Sequence, residues 1–433
     1  MDLPEEDFIV TRVRGVLALD SRGNPTVKAV VRTKGGVGVG ISPSGASKST
    51  KEAVELRDGG KRWGGMGVSQ ALANLNTFVA PRLIGLDSRE QARIDGLLVE
   101  LDGTPNKSRL GGNVTTAVSV AVAKAAAASA GLEPFEYLGG PSARLLPTPL
   151  LNVINGGVHA GNELAFQEFL LIPVGASTFS EAMRMSVEVY KALKAYLAEK
   201  YGKGATNVGD EGGYAPPMKE VREALEALSA AIKAAGYTLG SDFMLGIDAA
   251  ASEFYDQERK AYRVDGKDYD AGSLLELYGQ LVEEFSVAYL EDPFHEEDTK
   301  HFAEITSRLG SKVLIVGDDL YATNVRYLRE GVKARATNGA LVKVNQVGTL
   351  TETLEYVRVA RDAGVRSVIS HRSGDTEDPF IADLAVAVGA GVIKTGAPAR
   401  SERLAKYNRL LEIEDYLGPV ATYAGRAPFA SSL

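Results

Sequence analysis

The feature that most constrains this fold is a repeat of strand and helix patterns through the last two thirds of the chain. Beyond about residue 140, short runs rich in β-branched residues alternate with amphipathic helical segments. One such helix begins near Thr178, where Thr178 and Glu181 suit a capping box. No glycine-rich dinucleotide fingerprint opens any unit. The pattern therefore predicts a parallel α/β barrel in preference to an open, doubly wound sheet.

The first 140 residues follow a different pattern. Three alternating runs between Phe8 and Ile41, separated by turns at residues 23–25 and 35–36, predict a three-stranded antiparallel meander. Helical patterns follow at Lys51–Arg57, Val68–Phe78, Arg89–Leu98 and Val114–Ala130. Strands followed by helices indicate an α+β domain. Glycines and prolines near residue 140 then predict two domains, 1–140 and 141–433.

The amino-acid composition limits which classes of binding partner and which cellular compartment we expect. The 433 residues carry a formal net charge of −8 with no basic cluster, which argues against a nucleic-acid partner. The absence of cysteine excludes disulfides, thiolate catalysis and Cys-ligated metals. The acidic start of the chain does not resemble a signal peptide, and the longest uncharged run, residues 145–162, contains two prolines. We expect no membrane partner and a cytoplasmic protein.

Charged or polar side chains stand where predicted barrel strands end. In a parallel barrel, the carboxyl ends of the strands meet at one mouth, which is where active sites form. A single Asp after a strand is often only a helix cap, but a series in register is hard to explain that way. The side chains at the strand ends are Glu211, Asp248, Glu291, Asp318, Lys343, His371 with Arg372, and Lys394.

The residue types at these ends suggest a chemistry. Asp248, Glu291 and Asp318 would repel one another unless a cation lay among them, and oxygen-only ligands favour Mg²⁺, with Mn²⁺ as a substitute. A nearby cation would also lower a lysine pKa, so Lys343 or Lys394 is expected to act as a base. Arg372 and Ser373 suit a phosphate or carboxylate. Together these groups predict proton abstraction beside a carboxylate, followed by β-elimination.

Many segments of the chain closely resemble the enolase family, and the resemblance extends over essentially the full length. The resemblance implies a modified TIM-like β/α barrel preceded by an α+β N-terminal domain. It also implies enolase activity, the reversible dehydration of 2-phosphoglycerate to phosphoenolpyruvate in glycolysis and gluconeogenesis. The similar segments include DSRGNPTV from Asp20, PSGAS from Pro43, NGGVHAGNELAFQEF from Asn155, VGDEGGYAP from Val208, LEDPF from Leu290, GDDL from Gly317, KVNQVGTL from Lys343, SHRSGDTED from Ser370 and KTGAPARSERLAKYN from Lys394.

The resemblance implies a role for each matching residue. Lys343 resembles the base that removes the C2 proton, and Glu211 resembles the acid that assists loss of the C3 hydroxyl. The family pattern implies two Mg²⁺ ions, one on Asp248, Glu291 and Asp318 and a second on Ser47. Pairing with substrate is implied for Lys394 at its carboxylate and for Arg372 and Ser373 at its phosphate. Pocket residues near the leaving hydroxyl are expected to be His159, Gln167 and Glu168, with His371 on the same wall.

Alternatives to this activity are another acid-sugar dehydratase or racemase of the superfamily, a surface-displayed binding protein, and a non-catalytic scaffold. The first typically carries its base in a Lys-x-Lys pair, and none occurs in the predicted strands before Asp248. Surface binding often involves a C-terminal lysine, whereas this chain ends Ser431-Ser432-Leu433. A scaffold would not need the charged site residues, which are all present. The family default is a homodimer, and an octamer is known among some members.

One departure from the family pattern lies in the loop expected to close over substrate. After Ser47 the family commonly has Thr-Gly, whereas this chain has Lys48-Ser49. Because Ser47 is retained, we expect the double variant Lys48→Thr with Ser49→Gly to change KM or kcat by only a modest factor, since loop ordering and not chemistry is altered. Steady-state kinetics check this, and complete loss of activity in the variant would contradict it.

Overall fold

The structure is a computed structural model that describes residues 5–45, 49–157 and 160–429. Its first strands are β1 (Val10–Leu19), β2 (Pro25–Thr33) and β3 (Val37–Ile41), which pair antiparallel in that order. The predicted meander is therefore confirmed. The helices that follow are α1 (Ser69–Asn74), α2 (Ala80–Leu83), α3 (Gln91–Asp102), α4 (Gly112–Ser129) and α5 (Pro134–Gly139).

The predicted helix over Lys51–Arg57 is wrong. Its backbone groups bond to distant segments instead of to one another: the N–H of Ala53 donates to Gln346 O at 2.7 Å, and the N–H of Val54 donates to Asn106 O at 2.8 Å. Because backbone donors must find partners, these longer-range bonds replace a local helix. The segment thereby connects the N-terminal part of the chain to the mouth of the barrel.

The remainder of the chain builds the barrel and its helices. Its strands are β4 (Leu145–Leu146), β5 (Thr148–Asn155), β6 (Glu168–Ile172), β7 (Met244–Asp248), β8 (Tyr255–Asp256), β9 (Ala261–Val264), β10 (Lys267–Tyr269), β11 (Val287–Glu291), β12 (Leu314–Gly317), β13 (Gly339–Val342), β14 (Arg366–Ser370), β15 (Val392–Lys394) and β16 (Thr422–Tyr423). Its helices are α6 (Phe179–Tyr201), α7 (Val221–Ala234), α8 (Ala271–Phe285), α9 (Thr299–Leu309), α10 (Val325–Ala334), α11 (Val344–Val347), α12 (Leu350–Asp362), α13 (Phe380–Ala387) and α14 (Ser401–Leu417).

Eight strands close into a barrel in the order β11-β12-β13-β14-β15-β5-β6-β7, which confirms the predicted barrel. One strand departs from the expected parallel arrangement, because β6 runs antiparallel to both β5 and β7. The described residues between β5 and β6 contain no α-helix of the kind that connects parallel strands. The start of β6, not its end, therefore lies at the mouth of the barrel.

Glu211 does not end a barrel strand, contrary to the sequence prediction. It lies in the connection between α6 and α7, where the only strand-like pairing nearby is a pair of isolated bridges to Tyr214. Tyr214 is stacked on Tyr190 of α6 with ring centroids 4.5 Å apart. The Tyr190 hydroxyl donates to Gly212 O at 2.6 Å. These contacts fix a loop that carries Glu211 to the same mouth.

The N-terminal sheet and α4 pack on the mouth side of the barrel. Ser44 and Gly374 exchange backbone hydrogen bonds at 2.7 and 2.8 Å. Leu350 N–H, at the start of α12, donates to Ser119 Oγ at 2.9 Å. Lys124 of α4 forms an ion pair with Asp378. These contacts place the segment after β3 above the strand ends.

Within residues 5–45, 49–157 and 160–429, no single helix is long and apolar enough to cross a membrane. Among the described residues, only α4 and Pro134–Ser142 taken together are long and apolar enough, and they form a pair bent by 96°.

The glycines of β3 allow its close approach to the alanine-rich α4. An ideal Cβ on Gly38 would lie 1.9 Å from Ala121 O and 2.4 Å from Ala125 N. We expect Gly38→Ala to lower the free energy of unfolding by about 3 kcal/mol, because backbone must move to admit the methyl group. Denaturant unfolding measures this.

The matched control is Gly96→Ala in α3, where no atom lies within 4 Å of the added carbon. There we expect a gain of up to about 1 kcal/mol from helix propensity. Equal effects of the two substitutions would contradict the packing argument.

Candidate active site

A cavity opens at the mouth of the barrel and gathers most of the predicted site residues. Those that line it are Gln167, Glu168, Glu211, Asp248, Asp318, Lys343, His371, Arg372, Ser373 and Lys394. Glu291 does not line the cavity but pairs in register with Asp248 on the neighbouring strand. Ser47 and His159 lie outside the described residues, as does Lys48.

Lys394 joins three of the carboxylates. Its Nζ lies 2.8 Å from Asp248 Oδ2, 2.9 Å from Glu291 Oε2 and 3.3 Å from Glu168 Oε2. Strand register produces this cluster, because Asp248 stands opposite both Glu168 of β6 and Glu291 of β11. All four side chains are buried. The ammonium therefore offsets negative charge that would otherwise be costly to bury.

Two carboxylates of this cluster, those of Glu291 and Glu168, hold their protons more tightly than usual. Burial, followed by the charge of Asp248, raises the pKa of Glu291 to about 8. Burial and the charge of Glu211 raise the pKa of Glu168 well above its ordinary value. Burial disfavours an ionised carboxylate, and like charges add to the effect. More positive charge at this position would favour the ionised forms.

Lys343 forms the second cationic contact, with Asp318. Its Nζ donates to Asp318 Oδ2 at 2.5 Å, and the amide of Gln346 donates to Asp318 Oδ1 at 3.0 Å. Burial lowers the pKa of Lys343, but the charges of Asp318 and Glu291 act against burial, and the pKa lies above its ordinary value. Burial likewise lowers the pKa of Lys394, yet its carboxylate neighbours raise it well above the usual range. Acidic neighbours therefore dominate in the chain by itself, and the lowering of a lysine pKa by a bound cation stays a prediction.

The Glu211 carboxyl contacts a side-chain amide and a histidine at the cavity. Asn152 of β5 donates its Nδ2 hydrogen to Glu211 Oε2 at 3.0 Å. His371 Nε2 lies 3.4 Å from the same oxygen. Both Glu211 and His371 are buried. The carboxyl of Glu211 is therefore held in one place by a side chain of β5 and by the residue that follows β14.

Arg372 presents its guanidinium to a carboxylate from the N-terminal part of the chain. Its two terminal nitrogens donate to Glu52 at 2.9 and 3.2 Å, and one of them also donates to Asn345 Oδ1 at 3.0 Å. The paired contact matches the fork of an arginine to two oxygens of one oxyanion. Ser373 follows Arg372 at the same cavity wall.

The acidic residues also offer a place for a divalent cation. One oxygen from each of Asp292, Asp318 and Asp319 lies within 4.8 Å of the others. However, both oxygens of Asp292 already accept backbone N–H groups, from Asp318 at 2.9 Å and from Asp319 at 3.0 Å. Glu291 Oε1, by contrast, is buried and receives no hydrogen bond from the described residues. This orphaned oxygen fits a cation among Glu291, Asp248 and Asp318.

Sequence reasoning missed several residues of this site. Asp292 and Asp319 directly follow the strand-end residues Glu291 and Asp318, so adjacency to those ends was an available signal. Glu253 also lines the cavity. Glu52 and Asn152 carried no comparable signal, since neither ends a predicted barrel strand. Their contacts depend on which distant segments the fold brings together.

Comparisons with known proteins agree with this arrangement. A family model described as "Enolase, N-terminal domain" matches residues 10–138, and one described as "Enolase, C-terminal TIM barrel domain" matches residues 143–432. An enolase from Aeropyrum pernix is 61% identical over 420 residues, which are 97% of each chain. Enolases from Pyrococcus furiosus and Methanocaldococcus jannaschii are 57% and 53% identical over 415 and 423 residues. These alignments cover 95% and 98% of this chain, and 96% and 98% of the relatives.

The Lys394 cluster yields a stability prediction. We expect Lys394→Met to lower the free energy of unfolding in EDTA by about 3 kcal/mol, because three buried carboxylates lose their shared cation. Lys312→Met is the control, since the ion pair of Lys312 with Glu283 is exposed and contributes about 0.5 kcal/mol or less. Denaturant titration of both variants measures the difference, and equal losses would contradict the buried charge balance.

Proposed function

The chain belongs to the enolase family and has its lyase activity, phosphopyruvate hydratase, and we propose that the cavity at the barrel mouth performs this reaction. The reaction dehydrates 2-phosphoglycerate reversibly to phosphoenolpyruvate. The observation that carries the proposal is the joint placement of Lys343, Glu211 and Lys394 in one cavity. These side chains supply a base, an acid and a cationic contact for a carboxylate.

Lys343 is the proposed base. In its unprotonated form, the Nζ removes the proton from C2 of the substrate, and the C–H electron pair passes into the carboxylate-stabilised intermediate. Asp318 holds that nitrogen at the cavity wall through the 2.5 Å contact. Fixing one of two reacting groups lowers the entropic cost of the step.

Glu211 is the proposed acid for the second step. It gives a proton to the C3 hydroxyl as the C3–O bond breaks, so that water leaves and the C2–C3 double bond forms. Asn152 and His371 hold the Glu211 carboxyl at the cavity, which Lys343 also lines. Glu168 and Gln167 lie near the same wall, and we assign His159 there as well.

Arg372, Ser373 and Lys394 are the proposed substrate contacts. The guanidinium of Arg372 already binds a carboxylate through two nitrogens, and a phosphate offers oxygens with a similar spacing. Lys394 is the proposed partner of the substrate carboxylate. We place His371 beside the leaving hydroxyl. The cavity thus receives a small anion with charges at both ends.

We propose Mg²⁺ as the divalent metal of this family member, with two ions per site and Mn²⁺ as a substitute. Asp248, Glu291 and Asp318 would hold the first ion, and Ser47 would contribute to the second. When bound, the ions supply positive charge that offsets the negative charge developing on the substrate carboxylate. The orphaned oxygen of Glu291 supports the first of these sites.

Several further assignments rest on family membership. We propose domains 1–140 and 141–433, a homodimer or a higher homo-oligomer such as an octamer, and a cytoplasmic role in glycolysis and gluconeogenesis. The compared relatives give no support to another superfamily dehydratase or to a non-catalytic scaffold.

Formation of phosphoenolpyruvate, followed by its ultraviolet absorbance, tests the proposed roles. We expect turnover of 2-phosphoglycerate with Mg²⁺ and none with EDTA. Lys343→Ala should lower kcat by about 10³-fold or more, because the proton acceptor is removed. Lys333→Ala, at an exposed position of α10, should retain full activity. An active Lys343→Ala variant would refute the assignment of the base.

A further inference from the structure

Arg403 is a fully buried cation that has no role in the preceding account. It lies in the first turn of α14 and is 0% exposed. Burying an arginine is costly unless its donors are satisfied. Its terminal nitrogens donate to Arg372 O at 2.6 Å, Ser373 O at 2.6 Å and Asp210 O at 3.2 Å. Arg403 therefore joins the segment that carries Glu211 to the segment that carries the proposed phosphate contacts.

Arg403 also contacts a side chain of the cavity. Its Nη1 atom lies 2.6 Å from His371 Nδ1. A guanidinium has only donors, so Nδ1 must be the acceptor and carry no proton. In a neutral imidazole, the proton then resides on Nε2, which is the atom 3.4 Å from Glu211 Oε2. The contact selects one of the two tautomers.

The surroundings of His371 also disfavour the imidazolium form, in which both ring nitrogens carry a proton. Burial and the charge of Arg403 lower the pKa of His371 to about 4, although Glu211 and Asp375 act in the opposite direction. His371 is therefore neutral near pH 7. Its Nε2 hydrogen is directed towards the proposed acid and the wall of the cavity.

Gly396 leaves the space that the Arg403 side chain occupies. Gly396 has a φ of +85°, and a Cβ there would lie 2.8 Å from Arg403 Cδ and 2.8 Å from Glu211 O. Tyr407, one turn along α14, donates its hydroxyl to Gly396 O at 2.6 Å. A side chain at residue 396 would displace both the arginine and the Glu211 loop.

We propose that Arg403 is a positioning residue that fixes His371 as a hydrogen-bond donor from Nε2 and thereby orients the Glu211 side of the cavity. The consequence for turnover rests on the proposed function, whereas the tautomer itself does not. Without the arginine, the Nε2 atom that faces Glu211 can be protonated or unprotonated. In the second tautomer, Nε2 would present an acceptor to the carboxyl in place of a donor.

The test uses the full chain labelled with ¹⁵N-histidine, because the sequence contains only four histidines. Nitrogen chemical shifts distinguish a protonated ring nitrogen from an unprotonated one. We expect His371 to show a protonated Nε2 and an unprotonated Nδ1 from pH 6 to 8. A protonated Nδ1, or an imidazolium, in the unsubstituted protein would overturn the proposal. His301 is an internal reference, since its Nδ1 lies 2.7 Å from both oxygens of Asp298 and must be protonated.

Substitutions of Arg403 distinguish a positioning role from a purely stabilising one. We expect Arg403→Met to produce mixed tautomers of His371 and to lower kcat about tenfold or more with little change in KM. Arg403→Lys should restore both readouts in part, because an ammonium still donates to Nδ1. Arg400→Lys is the control, since Arg400 reaches Gly209 O at 3.5 Å but does not contact His371.

Two results distinguish the possible failures. A single Nε2–H tautomer in Arg403→Met, with lowered stability only, would show a purely structural residue and overturn the proposal. Should Arg403→Met not fold, the unsubstituted protein and Arg403→Lys decide the question. The spectrum does not depend on turnover, so an inactive protein with the expected tautomer would contradict the proposed function and leave the tautomer assignment standing.

Discussion

The site depends on a balance of buried charge at the barrel mouth. Lys394 offsets Asp248, Glu291 and Glu168, and Lys343 offsets Asp318. Removing either lysine would leave carboxylates in a poorly solvated position, where their charged forms are costly. Because the balance is local, each lysine is held in place by the groups whose charge it offsets. The same carboxylates can therefore stabilise the fold through their ion pairs with lysine and also bind a cation that exchanges with solvent.

The barrel supplies this balance through strand register. Glu168, Asp248 and Glu291 are neighbours because β6, β7 and β11 are adjacent, and the reversed direction of β6 brings its first residue to the mouth. The N-terminal part of the chain completes the site from above, since Glu52 reaches Arg372. The loop after β3 and the substrate contacts are thereby connected.

The sequence predicted the barrel, the meander and the strand-end residues because each depends on a local pattern. The predicted parallel arrangement failed at β6, and Glu211 lies in a loop, since neither the direction of a strand nor an irregular connection leaves a periodic signal. The predicted helix at Lys51–Arg57 failed because its backbone partners are distant in sequence. The contacts of Glu52 and Arg403 were likewise not predictable, since they arise from segments that only the fold brings together.

The central claim is that the buried carboxylates are arranged for a divalent cation held by Asp248, Glu291 and Asp318. Anomalous X-ray diffraction from crystals grown with Mn²⁺ locates such an ion directly. The account predicts a strong anomalous peak within coordination distance of all three side chains, with Lys394 displaced from them. A peak held by Asp292 and Asp319 without Glu291, or no peak at saturating Mn²⁺, would contradict it.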